Sequence, residues 1–323
     1  MTILNKIFFL SIFFSTSLLA NNILTDYRLN GVYNVQKHMD NELTKIEYWD
    51  AQLKELNTSF GYIESYTNIL TCDKSNSTLT LYIKDTNESY RLQKKYNAYT
   101  GKINGDKIKE GDLKTPVGVY NLTKKISKLD AFYGPLAFVT SYPNAYDKYR
   151  GKNGSGIWIH GLPSENERDE YTKGCIAIDN PSIECLDRHI DIQKTLLIIK
   201  SQKEQKITDK NTLSSLLANL YKWRYSWIYN DINSYLNYYS SDFVRYDGMD
   251  YKRFLKYKTR IFRKSEKKEI IFNNLNIVPY PDTKDIYKIS FKELYKSNSF
   301  EFIGDKTLIV KFNNHKFEII TER

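Results

Sequence analysis

Two changes of hydrophobic period limit what this chain can fold into. Between residues 21 and 70, Leu43, Ile46, Trp49, Leu53 and Leu56 recur every three or four positions with charges between them, the pattern of one apolar helix face. From Thr78 the period becomes that of strands. Residues 78–83 read as a strand, 85–87 as a turn and 90–99 as the partner strand. Gly101, Gly105, Gly111, Pro116 and Gly118 then punctuate the chain, residues 136–140 and 157–160 read as further strands, 182–190 as a short helix and 195–200 as a closing strand. Residues 75–201 are therefore predicted to form a β-rich domain, a mixed sheet or sandwich with few helices.

The second change follows a polar stretch at 201–210 that reads as a linker. Residues 213–239 are predicted helical, with Leu216, Leu217, Leu220, Trp223 and Trp227 on one side, and two more helices are expected at 235–243 and 251–264. Strand-like runs follow at 270–278, 285–294, 300–310 and 315–321. Helices first and antiparallel strands after is an α+β arrangement. The expected outcome over 205–323 is a curved antiparallel sheet wrapped by helices around a cone-shaped pocket. The region 21–74 stands before both domains as a helical segment.

Residues 1–20 have a basic start at Lys6, an uncharged run from 7 to 20, and small residues at Ser15, Ser17 and Ala20. This predicts a secretory signal peptide, cleaved after Ser17 or Ala20. The alternative is an uncleaved anchor, for which the run is short against the roughly 20 apolar residues of a membrane span. With no second such stretch, the remainder is expected to be soluble and exported. The net charge of +10 favours acidic envelope polymers or lipid headgroups over nucleic acid as partners of an exported chain. An AT-rich genome, with its abundance of Lys, Asn, Ile and Tyr codons, produces the same excess. Residues 252–268 hold nine Lys or Arg with aromatics between them, either a solvated basic helix or a surface for an acidic polymer.

The three cysteines are Cys72, Cys175 and Cys185, an odd number that leaves at least one thiol over. Cys185 lies among apolar residues and is read as part of a buried helix face. A Cys72–Cys185 bridge is the alternative to two unpaired structural thiols, and the latter is expected. There is no CxxC, and His38, His160, His189 and His315 are scattered, so no metal site or cofactor is predicted. His38 reads as a surface or packing residue rather than a ligand. Cys175 differs from the other two thiols. It follows Gly174 in Thr-Lys-Gly-Cys-Ile and stands 15 positions after His160, which ends the apolar run Ile157-Trp158-Ile159. A thiolate nucleophile needs a nearby base and a positive dipole. The glycine allows the sharp turn that aims backbone N–H groups at an oxyanion.

His160-Gly161 followed by Thr172-x-Gly174-Cys175-hydrophobic resembles the catalytic domain of the L,D-transpeptidases, the YkuD family. Lys114-Thr115-Pro116-Val117-Gly118 resembles that family's Thr-Pro-x-Gly segment. Tyr133-Gly134-Pro135-Leu136, Tyr142-Pro143-Asn144 and Gly154-Ser155-Gly156-Ile157-Trp158 resemble a subgroup of it. The C-terminal part resembles an NTF2-like domain. The whole combination resembles the cell-shape-determining L,D-carboxypeptidases of helical Campylobacter and Helicobacter.

The resemblance implies Cys175 as nucleophile and His160 as base, with the oxyanion hole formed by N–H groups near Gly174 and Cys175. It also implies that a backbone carbonyl at Gly174 orients the histidine. Lys173, Trp158 and Tyr133 become candidate substrate-binding residues. The implied substrate is a peptidoglycan muropeptide, a tetrapeptide stem with meso-diaminopimelate at position three, from which the terminal D-alanine is removed. Two positions depart from the family pattern: Ala177 stands where an arginine is usual, and Lys173 where histidine is common. The first departure puts the usual substrate anchor in doubt and favours water over an amine as acceptor. Two alternatives remain open: a transpeptidase forming 3–3 crosslinks, and a non-catalytic wall-binding protein.

Overall fold

The computed structural model describes residues 4–163, 171–201 and 207–323, with side chains from Ile23 onward. The predicted signal peptide thus lies outside the residues whose side chains are described. Among the described residues no helix is long and apolar enough to cross a membrane. The chain opens with α1 (Leu4–Glu42), interrupted at Gly31, where φ is +76°, a conformation that glycine adopts without steric cost. In α2 (Ile46–Leu53) Trp49 and Leu53 are buried, two of the five residues of the predicted apolar stripe.

The strands and helices that follow are β1 (Tyr62–Ile63), β2 (Asn68–Asp73), β3 (Thr78–Lys84), β4 (Tyr90–Asn97), β5 (Gly118–Ile126), β6 (Ala137–Thr140), α3 (Ala145–Tyr149), β7 (Trp158–His160), β8 (Ile176–Ala177), α4 (Asn180–His189) and β9 (Thr195–Lys200). Eight of these strands form one sheet in the order β4-β3-β2-β9-β5-β6-β7-β8. The β2–β9 and β7–β8 pairs are parallel and the others antiparallel. The sheet takes in strands that the sequence reading did not assign, among them the interior β2 and the two-residue β8. β2 is buried at every position, so it shows none of the in–out alternation that marks a half-exposed strand. It precedes the expected domain start at residue 75.

The second half contains α5 (Lys210–Ile228), α6 (Ile232–Leu236), α7 (Tyr251–Phe262), β10 (Lys268–Pro279), β11 (Ile286–Ser297), β12 (Glu301–Asn313) and β13 (Lys316–Glu322). These four strands and β1 form an antiparallel sheet, β1-β10-β11-β12-β13. Trp223, Trp227, Tyr235, Phe254 and Phe272 pack between helices and sheet in its core. The expected helix over 235–243 ends instead at Leu236. Beyond it the backbone pairs with β13: Ile319 N–H donates to Tyr238 O at 2.7 Å and Ser240 N–H to Ile319 O at 3.0 Å. Tyr239 is thereby placed with its hydroxyl 3.0 Å from the buried Glu322 carboxylate, a partner that local sequence does not reveal.

The two sheets meet through a small core of their own. Ile69, Val119, Leu196 and Ile198 pack against Val278 and Tyr280. Asn144 donates to both the Tyr280 hydroxyl at 3.0 Å and Val119 O at 3.1 Å. Gly118 makes room for this contact, since a Cβ there would lie 2.4 Å from the Tyr280 hydroxyl.

Candidate active site

The parallel pair β7–β8 sets Ile159 opposite Ile176 and His160 opposite Ala177. Cys175, one residue before β8, therefore stands beside Trp158. The Trp158 N–H points at Cys175 Sγ from 3.4 Å, a hydrogen bond that strengthens as the sulfur becomes anionic. Sγ also lies 3.4 Å from Gly156 O, to which the neutral thiol donates. Trp158 and His160 alternate onto the same face of their strand, and the Tyr133 ring touches both, at centroid separations of 5.2 and 5.1 Å.

His160 is only 1% exposed, and its Nδ1 lies 2.7 Å from Gly161 O. A carbonyl only accepts, so Nδ1 carries the ring proton and Nε2 is the basic nitrogen. The sequence reading gave this orienting role to a carbonyl at Gly174; the carbonyl in hydrogen-bond contact with Nδ1 is that of Gly161. A local one-residue contact has replaced the long-range one.

Gly174 serves the turn itself. Its φ is +135°, and a Cβ would approach Lys114 O to 2.8 Å, so only glycine fits between the turn and the segment behind it. Its N–H is already committed, donating to Thr172 Oγ1 at 3.0 Å. That removes Gly174 N–H from the expected oxyanion donors. Thr172 Oγ1 in turn donates to Cys175 O at 2.7 Å, with Thr115 Oγ1 3.5 Å from the same carbonyl. Thr115 also accepts from Gly101 N–H at 2.8 Å, and both threonines are buried. The sequence reading noted them as motif letters without assigning them work. Their presence in both quoted segments was the only available signal, because their partners lie on separate stretches of chain.

Lys173 is exposed on the turn. Ala177 is fully buried and hydrogen-bonds through its backbone to Tyr99. Among the described residues no group of three or more His, Cys, Asp or Glu side chains has the arrangement of a metal site. No disulfide joins Cys72, Cys175 or Cys185 among the described residues. Cys72 is fully buried, and burial pushes its thiol up to about 12. Cys185 departs from the buried helix face expected of it. It is partly exposed, with Lys94 Nζ at 3.3 Å and the Tyr96 hydroxyl at 3.9 Å. Desolvation raises its pKa, but hydrogen bonds from Lys94 and Tyr96 outweigh this and hold the thiol below the ordinary range.

Comparison with known proteins agrees with this geometry. The L,D-transpeptidase catalytic domain (YkuD) matches residues 67–199, and the Cds6 C-terminal NTF2-like domain matches residues 215–323. The crystal structure of the helical cell shape determining protein Pgp2 from Campylobacter jejuni is 37% identical, with a TM-score of 0.80, over 87% of this chain and 99% of that one. The chain belongs to the YkuD L,D-transpeptidase family. Bd1075 of Bdellovibrio bacteriovorus is also similar, 26% identical with a TM-score of 0.66 over 83% of this chain and 97% of that one. The putative L,D-transpeptidase YafK of Escherichia coli is 35% identical over 113 residues, 34% of this chain. That match spans 42% of the length of YafK.

Beyond the YkuD domain, this family member carries a second concave site that the sequence reading anticipated only as a cone without named residues. A cavity of about 440 Å³ between α5, α7 and the C-terminal sheet is lined by Trp227, Lys258, Glu293, Tyr295, Lys306 and Glu322, among others. Lys258 Nζ lies 4.7 Å from the Trp227 ring centroid and 5.2 Å from that of Tyr235. Burial pulls its pKa down to about 8. Lys306 Nζ is 3.4 Å from Glu322. Glu293 is 3% exposed, one of its carboxylate oxygens has no hydrogen-bond partner among the described residues, and burial raises its pKa against the pull of Lys306 and Lys258. Two cations and two carboxylates thus converge on an aromatic-walled cavity.

Proposed function

We propose that this chain is a periplasmic L,D-carboxypeptidase that trims peptidoglycan tetrapeptide stems to tripeptides through a cysteine thioester. The observation that carries the reading is the placement of Cys175 Sγ against Trp158 N–H, at the end of the strand pair that also presents His160.

In this mechanism Nε2 of His160 takes the thiol proton of Cys175. The thiolate attacks the carbonyl at the L-centre of meso-diaminopimelate, and backbone N–H groups of the turn stabilise the oxyanion. The imidazolium returns its proton to the departing amine, which leaves as D-alanine. Water, deprotonated by His160, then attacks the thioester carbonyl, the C–S bond breaks, and the tripeptide and free thiol are restored. Tyr133 and Trp158 form an apolar wall beside the reacting atoms, and Lys173 offers a cation to a stem carboxylate. The C-terminal cavity, with both signs of charge, is suited to hold another part of the wall polymer while the stem is cut.

The buried Ala177 supports water as acceptor, because the arginine usual at that position is missing. A transpeptidase uses the same residues with an amine in place of water. Digestion of purified disaccharide tetrapeptide by the protein, with chromatographic separation of products, distinguishes them: tripeptide and free D-alanine support the hydrolase, whereas 3–3 dimers without tripeptide overturn it.

A further inference from the structure

Helix α7 has one face that neither the catalytic site nor the C-terminal cavity uses. Its buried residues, Phe254, Lys258 and Phe262, recur every four positions. At about 100° per residue, Lys252, Arg253, Lys256, Arg260 and Arg263 fall within an arc of about 100° on the opposite side. All five are exposed. Among the described residues none of the five is ion-paired with a carboxylate. The acidic groups nearby are engaged elsewhere: Asp250 caps the helix, Asp247 pairs with Arg245, and Glu266 lies 3.9 Å from Lys264. The stripe is about 16 Å long at a rise of 1.5 Å per residue.

Beside the end of this helix stands the β11–β12 hairpin tip. Lys264 Nζ is 3.3 Å from Ser299 Oγ, and Phe300 and Phe302 share the cavity rim with Ile261 and Lys264 of the helix end. Phe300 is 60% exposed and Phe302 40%. A row of unneutralised cations flanked by exposed aromatic rings matches the chemistry of an anionic bilayer surface, where phosphates meet the cations and rings enter the headgroup boundary. A hydrated acidic polysaccharide offers the charge but gives the rings no apolar phase.

We propose that the α7 stripe and the β11–β12 hairpin tip form a docking surface for an anionic lipid membrane, holding the protein at the bilayer face next to the wall. This inference does not depend on the reaction assigned above. The surface is electrostatic first, so binding weakens with salt. Each stripe cation contributes roughly fivefold to vesicle affinity.

The test is sedimentation of the full chain with vesicles of phosphatidylcholine, with and without phosphatidylglycerol, at low and high salt. Neutral vesicles set the baseline for any insertion by the apolar segment near the N-terminus. The expected result is added, salt-sensitive binding to anionic vesicles that falls about 25-fold in Lys256→Gln/Arg260→Gln, with stem-peptide turnover in solution unchanged by that double substitution, and that also weakens in Phe300→Ser. Equal binding to both vesicle types overturns the proposal, as does anionic binding that survives the double substitution. A double substitution that abolishes binding to isolated sacculi while leaving vesicle binding intact overturns it too, assigning the stripe to the polymer.

Discussion

His160 and Ala177 are register partners in a parallel strand pair, and this pairing fixes a histidine at the end of one strand relative to a cysteine that stands two residues before its partner in the next. Neither residue is adjacent to the other in sequence; strand register sets their separation, and Gly161, Thr172 and Gly174 fix the local geometry at each end. If the pair works as proposed, Cys175→Ala and His160→Ala each abolish conversion of tetrapeptide to tripeptide while the melting temperature stays close to that of the parent. Product chromatography and a thermal melt on the same preparations check this.

Gly174 is expected to tolerate no side chain. Gly174→Ala must carry a Cβ to 2.8 Å from Lys114 O at a φ of +135°, a strain of about 1–3 kcal/mol. The turn relaxes by moving Cys175, so turnover should fall by roughly a hundredfold, as for other displacements of about an ångström. Denaturant unfolding and steady-state kinetics measure the two effects.

Thr172 is predicted to act on rate rather than on binding. Thr172→Val removes the acceptor of Gly174 N–H and the shorter of two donors to Cys175 O, at a cost of about 1–3 kcal/mol for the buried N–H that loses its acceptor. Thr172→Ser keeps both bonds. A lowered kcat with little change in KM for the valine variant, restored by serine, is the expected pattern.

The three thiols should separate by reactivity. Alkylation with iodoacetamide at neutral pH, read by peptide mass spectrometry, is expected to label Cys185 and Cys175 and to spare Cys72 until the protein is unfolded. Cys72 is fully buried with its thiol pushed to about 12, whereas Lys94 and Tyr96 favour the thiolate of Cys185. Labelling of Cys72 in the folded protein refutes the burial argument.

Lys288 links stability to pH. It reaches from β11 to Asn121 Oδ1 at 3.3 Å across the sheet–sheet contact, and burial lowers its pKa to about 8. The folded state therefore binds the proton less tightly than the unfolded state. The penalty is fully present below pH 8 and is relieved as pH rises towards the ordinary lysine range. Lys288→Met, which leaves Asn121 Oδ1 still accepting from Tyr66 at 3.2 Å, should stabilise the protein at pH 7 by about 2–3 kcal/mol. That gain should shrink between pH 8 and pH 10, as measured by unfolding at each pH.

Some of this was determined by sequence alone. The helical stripe at 43–56, the α+β order, the strands read at 195–200 and 315–321, the thiol and the histidine all follow from residue period or a short motif, and both kinds of signal are local. Other features belong to tertiary structure. β2 hides at the sheet centre because a strand buried on both faces loses its alternation. The residues 62–63 leave the N-terminal helical region to join the distant C-terminal sheet. The orienting carbonyl proved to be Gly161's, Gly174 N–H was taken by Thr172, and Cys185 turned out to face Lys94. Each of these depends on which segments meet, and register across separated strands is chosen by packing of the whole sheet rather than by neighbours in the chain.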